Sequence, residues 1–155
     1  MVLVIISILA VLAMPVFTSL NAHAQNVVCL GNLRGLHTSL TACLIDHDSV
    51  WPQIPDTMTD DVAISKWWKE TLTPYGMTER YLTCPADLPK NDKRKPGHPF
   101  ESSYVITNFD ELPNRAFLWK QPWAIERWEN HGGSKGPNML YPDGSVQRGV
   151  SMLTR

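Results

Sequence analysis

The chain has 155 residues, a hydrophobic content of 43% and a formal net charge of -1 at pH 7. This length has room for one domain, and the hydrophobic content is typical of a globular protein rather than a disordered one. The 14 lysine and arginine residues are scattered along the chain, so no basic patch indicates nucleic-acid binding. We therefore expect one folded core and no nucleic acid partner.

The first 17 residues form an uncharged apolar segment that reads MVLVIISILAVLAMPVF, in which Ser7 supplies the one hydroxyl group. As a helix this segment extends about 25 Å, slightly less than the roughly 30 Å of a bilayer core. Arg34 is the first lysine or arginine, so the positively charged start of a secretory signal peptide is missing. We expect the segment to be buried in lipid or against other protein.

A helical pattern continues beyond this segment as far as Asp48. Residues recur at steps of three and four, which places them on one face of a helix: Leu33, Leu36, Leu40, Cys43, Leu44 and His47. Pro15 is the one proline before Asp48, and a proline bends a helix because it lacks an amide donor and crowds the preceding turn. The sequence therefore predicts one long helix, kinked near Pro15, that is apolar all round at first and amphipathic later.

A second interpretation rests on Ala22-His23-Ala24, which fits the small-residue pattern of a signal peptidase site before Gln25. In this interpretation the chain is a secreted, periplasmic small binding module that is released after Ala24. Its ligand surface would be aromatic and formed by Trp119, Trp123 and Trp128. The continuing helical pattern favours an intact helix over this alternative.

The remainder of the chain is rich in turns, because almost all of the 12 prolines follow Asp48. Asp60 to Gly76 predicts a short second helix, with acidic residues at its start and a proline and a glycine at its end. Pro142-Asp143-Gly144 predicts a hairpin turn, since proline pre-sets the backbone and glycine accepts the left-handed conformation. Strands are predicted at Ser103 to Thr107, Arg115 to Lys120, Asn138 to Tyr141 and Ser145 to Val150. The predicted fold class is α+β, with a long N-terminal helix packed on a small antiparallel β-sheet domain.

The apolar segment resembles, residue type by residue type, the N-terminal helix of type IV pilins and type II secretion pseudopilins. The matching stretch runs from Leu3 to Pro15 and combines an aliphatic run with Ser7 and a proline. Later segments are similar to a bacterial subgroup of pilin-like proteins with an asparagine-leucine-basic step, a cysteine-proline loop and a C-terminal histidine, glycine link and Asp-Gly. Here these are Cys29 to Arg34, Tyr81 to Asp87, Ser103-Tyr104, His131, Gly132-Gly133, Asn138 to Tyr141 and Asp143-Gly144.

The resemblance implies a pilin-like fold and a structural, non-enzymatic subunit that polymerises into a helical filament of a type II secretion or type IV pilus system. Its partners would be copies of itself and the secretion or pilus assembly machinery. It would lie in the bacterial inner membrane before assembly and then in a periplasmic or extracellular filament. Residues 1–25 would be the transmembrane and polymerisation half of the helix, and residues 26–155 the globular domain with the amphipathic half. The polymerisation contacts would be made by Leu3, Val4, Ile5, Ile6, Ile8, Leu9, Val11, Leu12, Met14, Pro15 and Phe17.

The family's peptidase site, a glycine before phenylalanine and then threonine, leucine, isoleucine and glutamate, does not occur in this sequence. Cleavage and methylation of the N-terminus are therefore expected from the resemblance alone.

Three cysteines leave one thiol unpaired if a disulfide forms. Cys29 and Cys43 lie 14 residues apart on the predicted helix, about 21 Å along its axis, and a disulfide allows only about 7 Å between α-carbons. Cys84 could reach either helical cysteine by folding back on the helix. The resemblance favours the pair Cys29 and Cys84, because both belong to the matching motifs.

Major pseudopilins hold calcium in a loop of their C-terminal sheet, so the resemblance also raises a calcium site as the one cofactor to consider. The nearest candidate ligands are Asn108, Asp110 and Glu111, with Asn114 beyond, but their spacing does not reproduce the family's donor-rich loop. Asp46-His47-Asp48 carries metal-compatible donors, yet adjacent residues of a helix point in different directions, and we interpret this run as a helix end. No motif of an enzyme or of a zinc site occurs in the sequence, so we expect no catalytic residues.

Overall fold

The structure is a computed structural model that describes residues 2–87, 99–118, 121–127 and 136–149, with side chains from residue 17 onward. A long N-terminal helix packs against a four-stranded antiparallel sheet, which confirms the predicted α+β class. The helices are α1 (Val2–Asp46), α2 (Asp61–Leu72) and the single turn α3 (Arg115–Leu118), and two short 3-10 turns lie at Thr73–Tyr75 and Glu79–Leu82. The strands are β1 (Tyr104–Ile106), β2 (Ala124–Glu126), β3 (Asn138–Leu140) and β4 (Val146–Arg148).

The inner face of α1 follows the predicted apolar pattern and supplies one wall of the core. Five of its periodic residues are buried, namely Leu33, Leu36, Leu40, Cys43 and Leu44. His47, which the same pattern placed on this face, lies beyond the last helical residue and is exposed. The helix ends because Asp48 and Ser49 both adopt left-handed backbone angles and the Ser49 amide donates to the Leu44 carbonyl at 2.7 Å. The predicted kink at Pro15 stays a prediction.

The second predicted helix forms as α2 with the expected signals at both ends. Asp60 is its N-cap, and its Oδ2 accepts from the Ala63 amide at 3.1 Å. After the following 3-10 turn, Gly76 takes a φ of 80°, and its amide donates to the Thr73 carbonyl. Trp68 on α2 is buried and meets Trp51 edge-on, with ring centroids 6.0 Å apart.

The strands lie in the order β1-β2-β3-β4, and every neighbouring pair is antiparallel. Three of the four predicted strand segments contain a strand. The strand predicted at Arg115 to Lys120 is wrong, because Arg115–Leu118 is helical. A short apolar run does not distinguish a strand from a helix by itself. Here Asn114 adopts a left-handed backbone conformation, and its amide donates a hydrogen bond to the Ser49 carbonyl. The Phe117 amide donates to the Asn114 carbonyl at 3.0 Å, and this bond starts the turn of α3. The strand that the sequence analysis missed is β2.

The predicted hairpin turn joins β3 to β4. The Tyr141 amide donates to the Ser145 carbonyl at 2.9 Å, and the Ser145 amide donates to Asp143 Oδ1 at 2.9 Å. Gly144 has a φ of 77°, which a residue with a side chain rarely adopts. Asp143 therefore has the structural role that the turn pattern predicts.

Candidate functional site

A disulfide joins α1 to the segment that follows the second 3-10 turn. Cys29 on the helix and Cys84 are both fully buried, and their α-carbons lie 5.3 Å apart. This is the pair that the resemblance favoured, and the bond closes a separation of 55 residues. Cys43 is a free, buried cysteine, and burial together with the nearby charge of Asp46 raises the pKa of its thiol. A buried neutral thiol is a packing group rather than a nucleophile.

A buried polar network next to the disulfide connects α1 with the sheet. The Asn138 side-chain amide on β3 donates to Asn26 Oδ1 at 3.0 Å and to Glu126 Oε2 at 2.7 Å. On the other side of the disulfide, Asn32 donates to the Thr83 carbonyl at 2.8 Å. Because buried polar groups are costly without partners, these bonds favour one position of the helix along the sheet.

Three further contacts hold α1 along its length. The His37 ring stacks on the fully buried Trp123 at 5.1 Å between centroids, and its Nε2 lies 3.0 Å from the Pro142 carbonyl oxygen in the hairpin turn. Near the end of the helix, the Tyr75 hydroxyl donates to Asp46 Oδ2 at 2.8 Å. The helix is therefore fixed from Asn26 to Asp46 by contacts to β3, to the hairpin and to the turn after α2.

The helix continues towards the N-terminus beyond these contacts. Residues 17–24 are all exposed, and this stretch carries the large apolar side chains Phe17, 69% exposed, and Leu20, 59% exposed. Val27 and Val28, which lie within the packed half just after Asn26, are also exposed. We call the helical residues 2–24 the arm. An apolar surface of this kind is typical of an interaction surface rather than of a face that stays in water.

The predicted polymerisation residues Leu3, Val4, Ile5, Ile6, Ile8, Leu9, Val11, Leu12, Met14 and Pro15 belong to α1, but their side chains lie outside the described residues. Phe17 is the one member of that set whose exposure is described. Among the described residues, no helix is both long enough and apolar enough to cross a membrane.

The candidate calcium ligands do not converge on a described metal centre. Asn108, Asp110 and Glu111 are exposed, and Asp110 Oδ2 lies 4.0 Å from the Arg115 guanidinium. Within the described ranges, the one group of three His, Cys, Asp or Glu residues with ligand atoms within 4.8 Å of one another is Cys29, Cys84 and Glu126. Its two sulfurs are already bonded to each other, so this group does not offer two thiolates to a metal.

The aromatic ligand surface proposed for a released binding module is wrong for Trp123. This side chain is fully buried, and its indole N–H donates to the Ala116 carbonyl at 2.8 Å. Trp119 and Trp128 lie outside the described residues, as do His131 and Gly132-Gly133 of the C-terminal motif.

The structure adds site residues that the sequence analysis did not single out. Asn26 bonds to Asn138 and His37 stacks on Trp123, and both partners are far along the chain. Glu126 takes part through its bond to Asn138. Asn26 and Asn138 are separated by 112 residues, so no local spacing could have paired them. Comparisons of the chain with protein-family models, with curated proteins and with solved structures found no match.

Proposed function

We propose that this protein is a structural subunit, a pilin or pseudopilin, that polymerises through the arm of α1 into a filament of a type II secretion or type IV pilus system. The observation that supports this most is the division of α1 into two halves. One half is joined to the segment after the second 3-10 turn by a disulfide and to the sheet by side-chain contacts. Residues 17–24 of the arm, in contrast, are exposed and lead into an uncharged apolar run. Residues 17–24, the part of the arm whose side chains are described, are thus available to other molecules.

The energetics favour burial of the arm in a filament. Each large aliphatic side chain that leaves water contributes about 1.5–3 kcal/mol, and the run from Val2 to Phe17 contains many such residues. Copies of the chain would pack their arms together, and the globular domains would remain outside. Before assembly the arm would be held in the bacterial inner membrane, where the assembly machinery takes it up. The disulfide agrees with exposure of the globular domain to an oxidising compartment, the periplasm or the cell exterior.

The test replaces an arm residue by a charged one in the full chain. The Ile8→Glu and Leu12→Glu variants should abolish filaments in sheared surface material viewed by electron microscopy, because a carboxylate in an apolar filament core is costly. Residues from Asn26 onward should still fold in these variants, as shown by near-ultraviolet circular dichroism and an intact Cys29–Cys84 disulfide. The matched control is Ile45→Glu, since Ile45 lies on the same helix, is 77% exposed and is outside the arm. Normal filaments in both arm variants would contradict the proposal.

The alternative is a secreted binding module released after Ala24. One observation favours it: the Asn26–Asn138 hydrogen bond and the Cys29–Cys84 disulfide both lie beyond Ala24, so a cut there would leave them in place. N-terminal sequencing of the mature protein separates the two functions. A start at Gln25 supports the released module, whereas a mature chain that retains Val2 to Pro15 supports the filament subunit.

A further inference from the structure

A concavity of about 670 Å³ lies between α3 and the β3–β4 hairpin. Its lining combines apolar rings with groups that form hydrogen bonds, namely Phe117, Tyr141 and Pro142 with Asp143, Ser145 and Gln147. This volume is within the range of small-molecule sites, which are mostly apolar with a few placed polar groups. No residue of the arm is among the described lining residues.

Contacts within the protein restrain two of the side chains that line this concavity. The Phe117 ring packs edge-on against Trp123 with centroids 5.2 Å apart, and Trp123 itself is fully buried. Asp143 is fixed in the hairpin turn, where its Oδ1 accepts from the Ser145 amide at 2.9 Å. Gln147 follows on β4, with its Nε2 3.4 Å from Ser145 Oγ. Phe117 and Asp143, which these contacts restrain, therefore lose less conformational freedom on ligand binding than unrestrained side chains would.

We propose that this concavity binds a pyranose unit of a polysaccharide. A pyranose ring has an apolar face of C–H groups that packs on aromatic rings, here Phe117 and Tyr141. Its edge carries hydroxyl groups, which donate well to a carboxylate because charge-assisted hydrogen bonds are stronger than neutral ones. Asp143 supplies that carboxylate, and Gln147 supplies an amide that both donates and accepts.

The charge of the lining disfavours anionic ligands. Asp143 repels phosphates and other anions, and its hydrogen bonds with Ser145 lower the pKa of its carboxyl group, so the charge is present at neutral pH. Hydrolysis of a glycosidic bond requires two carboxyl groups in the usual mechanisms. Asp143 is the one carboxylate in the described lining, which therefore lacks the second carboxyl group of these mechanisms.

The experiment measures binding of neutral oligosaccharides of glucose, galactose, mannose and N-acetylglucosamine to the full chain in detergent by titration calorimetry. At least one of these sugars should bind to the wild-type chain. Asp143→Asn and Gln147→Ala should each weaken that binding about tenfold, which corresponds to about 1.4 kcal/mol. Asparagine preserves the turn, because its side-chain oxygen still accepts from the Ser145 amide. Glu111→Gln is the matched control, since it removes an exposed carboxylate outside the concavity.

Phe117→Leu keeps an apolar side chain but removes the stacking surface, so it should also weaken binding. Circular dichroism establishes that each variant is folded before its affinity is compared. The proposal is overturned if none of the four sugars binds to the wild-type chain, or if Asp143→Asn and Gln147→Ala bind them as tightly as the wild type does. It is also overturned if the site binds cationic amines such as lysine and no neutral sugar. Because filament formation does not enter this measurement, its outcome is independent of the proposed polymerisation.

Discussion

Cys29 and Cys84 lie with their α-carbons 5.3 Å apart and form a fully buried disulfide that ties the arm-bearing helix to the rest of the domain. A crosslink that closes 55 residues reduces the entropy of the unfolded chain. Its loss in the Cys29→Ser, Cys84→Ser double variant should lower the free energy of unfolding by about 2–4 kcal/mol. Urea titration followed by circular dichroism measures this difference.

A control variant distinguishes the crosslink from the packing of a cysteine side chain. Cys43→Ala leaves the disulfide intact, and its stability should still fall when dithiothreitol is added. The double variant should be insensitive to the reductant. Equal stability of the double variant and the oxidised wild-type chain would show that the disulfide does not stabilise the attachment of α1.

The bonds of Asn138 to Asn26 and Glu126 predict a second effect on stability. Asn138→Ala removes the hydrogen bond to a buried carboxylate, and a hydrogen bond to a charged group contributes about 1.5–3 kcal/mol. We therefore expect a loss of that size in the free energy of unfolding, measured by urea titration. Asn108→Ala is the matched control, because Asn108 is exposed and its loss should change stability by less than about 0.5 kcal/mol. Similar losses of stability in the two variants would show that the hydrogen bonds of Asn138 do not stabilise the attachment of α1.

The sequence was informative where a pattern is long and repeated. The inner face of α1 was predicted because its apolar residues recur over several turns. The second helix was predicted because acidic residues mark its start, with Asp60 as the N-cap, and Gly76 ends the 3-10 turn that follows it. Shorter elements could not be assigned in this way. Arg115–Leu118 and Ala124–Glu126 are each three or four residues long, and local pattern does not separate a helix from a strand at that length.

The candidate site was less predictable, because its members are distant in sequence. Spacing excluded a bond between Cys29 and Cys43, but it did not choose between the two helical cysteines as the partner of Cys84. Only the fold places Asn26 beside Asn138 and His37 beside Trp123. Tertiary contacts of this kind depend on how elements pack, and a single sequence records no signal for them.

Two glycines provide opposite predictions for the same substitution. Gly144 has a φ of 77°, and a β-carbon built on it would lie 3.2 Å from the His37 ring. Gly144→Ala should therefore destabilise the chain by about 1–2 kcal/mol, because the left-handed conformation is strained for residues with side chains. Gly31 is helical, and a β-carbon there meets nothing within 4 Å. Gly31→Ala should stabilise the detergent-dispersed chain by about 0.5–1 kcal/mol, since alanine favours a helix.

Thermal unfolding of the two variants measures both effects, with a shift of about 2–4 °C expected for each kcal/mol in a chain of this size. The two midpoints should move in opposite directions from that of the wild type. A lower midpoint for Gly31→Ala would mean that the outer face of α1 is covered in the dispersed chain. An unchanged midpoint for Gly144→Ala would mean that the hairpin turn adjusts without strain.

The bond from the Tyr75 hydroxyl to Asp46 predicts a change in stability at alkaline pH. This hydrogen bond, together with the Asp46 charge, raises the pKa of Tyr75 from 10.0 to about 12. The Tyr75 hydroxyl thus binds its proton more tightly in the folded state than in the unfolded state. The resulting stability is fully present below pH 10 and is lost as the pH rises from about 10 to about 12. Asp46→Asn should return the pKa of Tyr75 towards its ordinary value, because the charge that opposes ionisation is gone.

The phenolate absorbance is measured as a function of pH for the wild-type chain and for Tyr75→Phe. The difference between the two titration curves gives the pKa of Tyr75. Circular dichroism at each pH establishes that the chain is still folded. Urea titrations at pH 9 and pH 11 should then show that the wild type loses more stability over this interval than Tyr75→Phe does, since the variant has no phenol to ionise at that position. If both proteins lose the same stability, or if Asp46→Asn leaves the pKa of Tyr75 unchanged, the contact does not hold the end of α1 in solution.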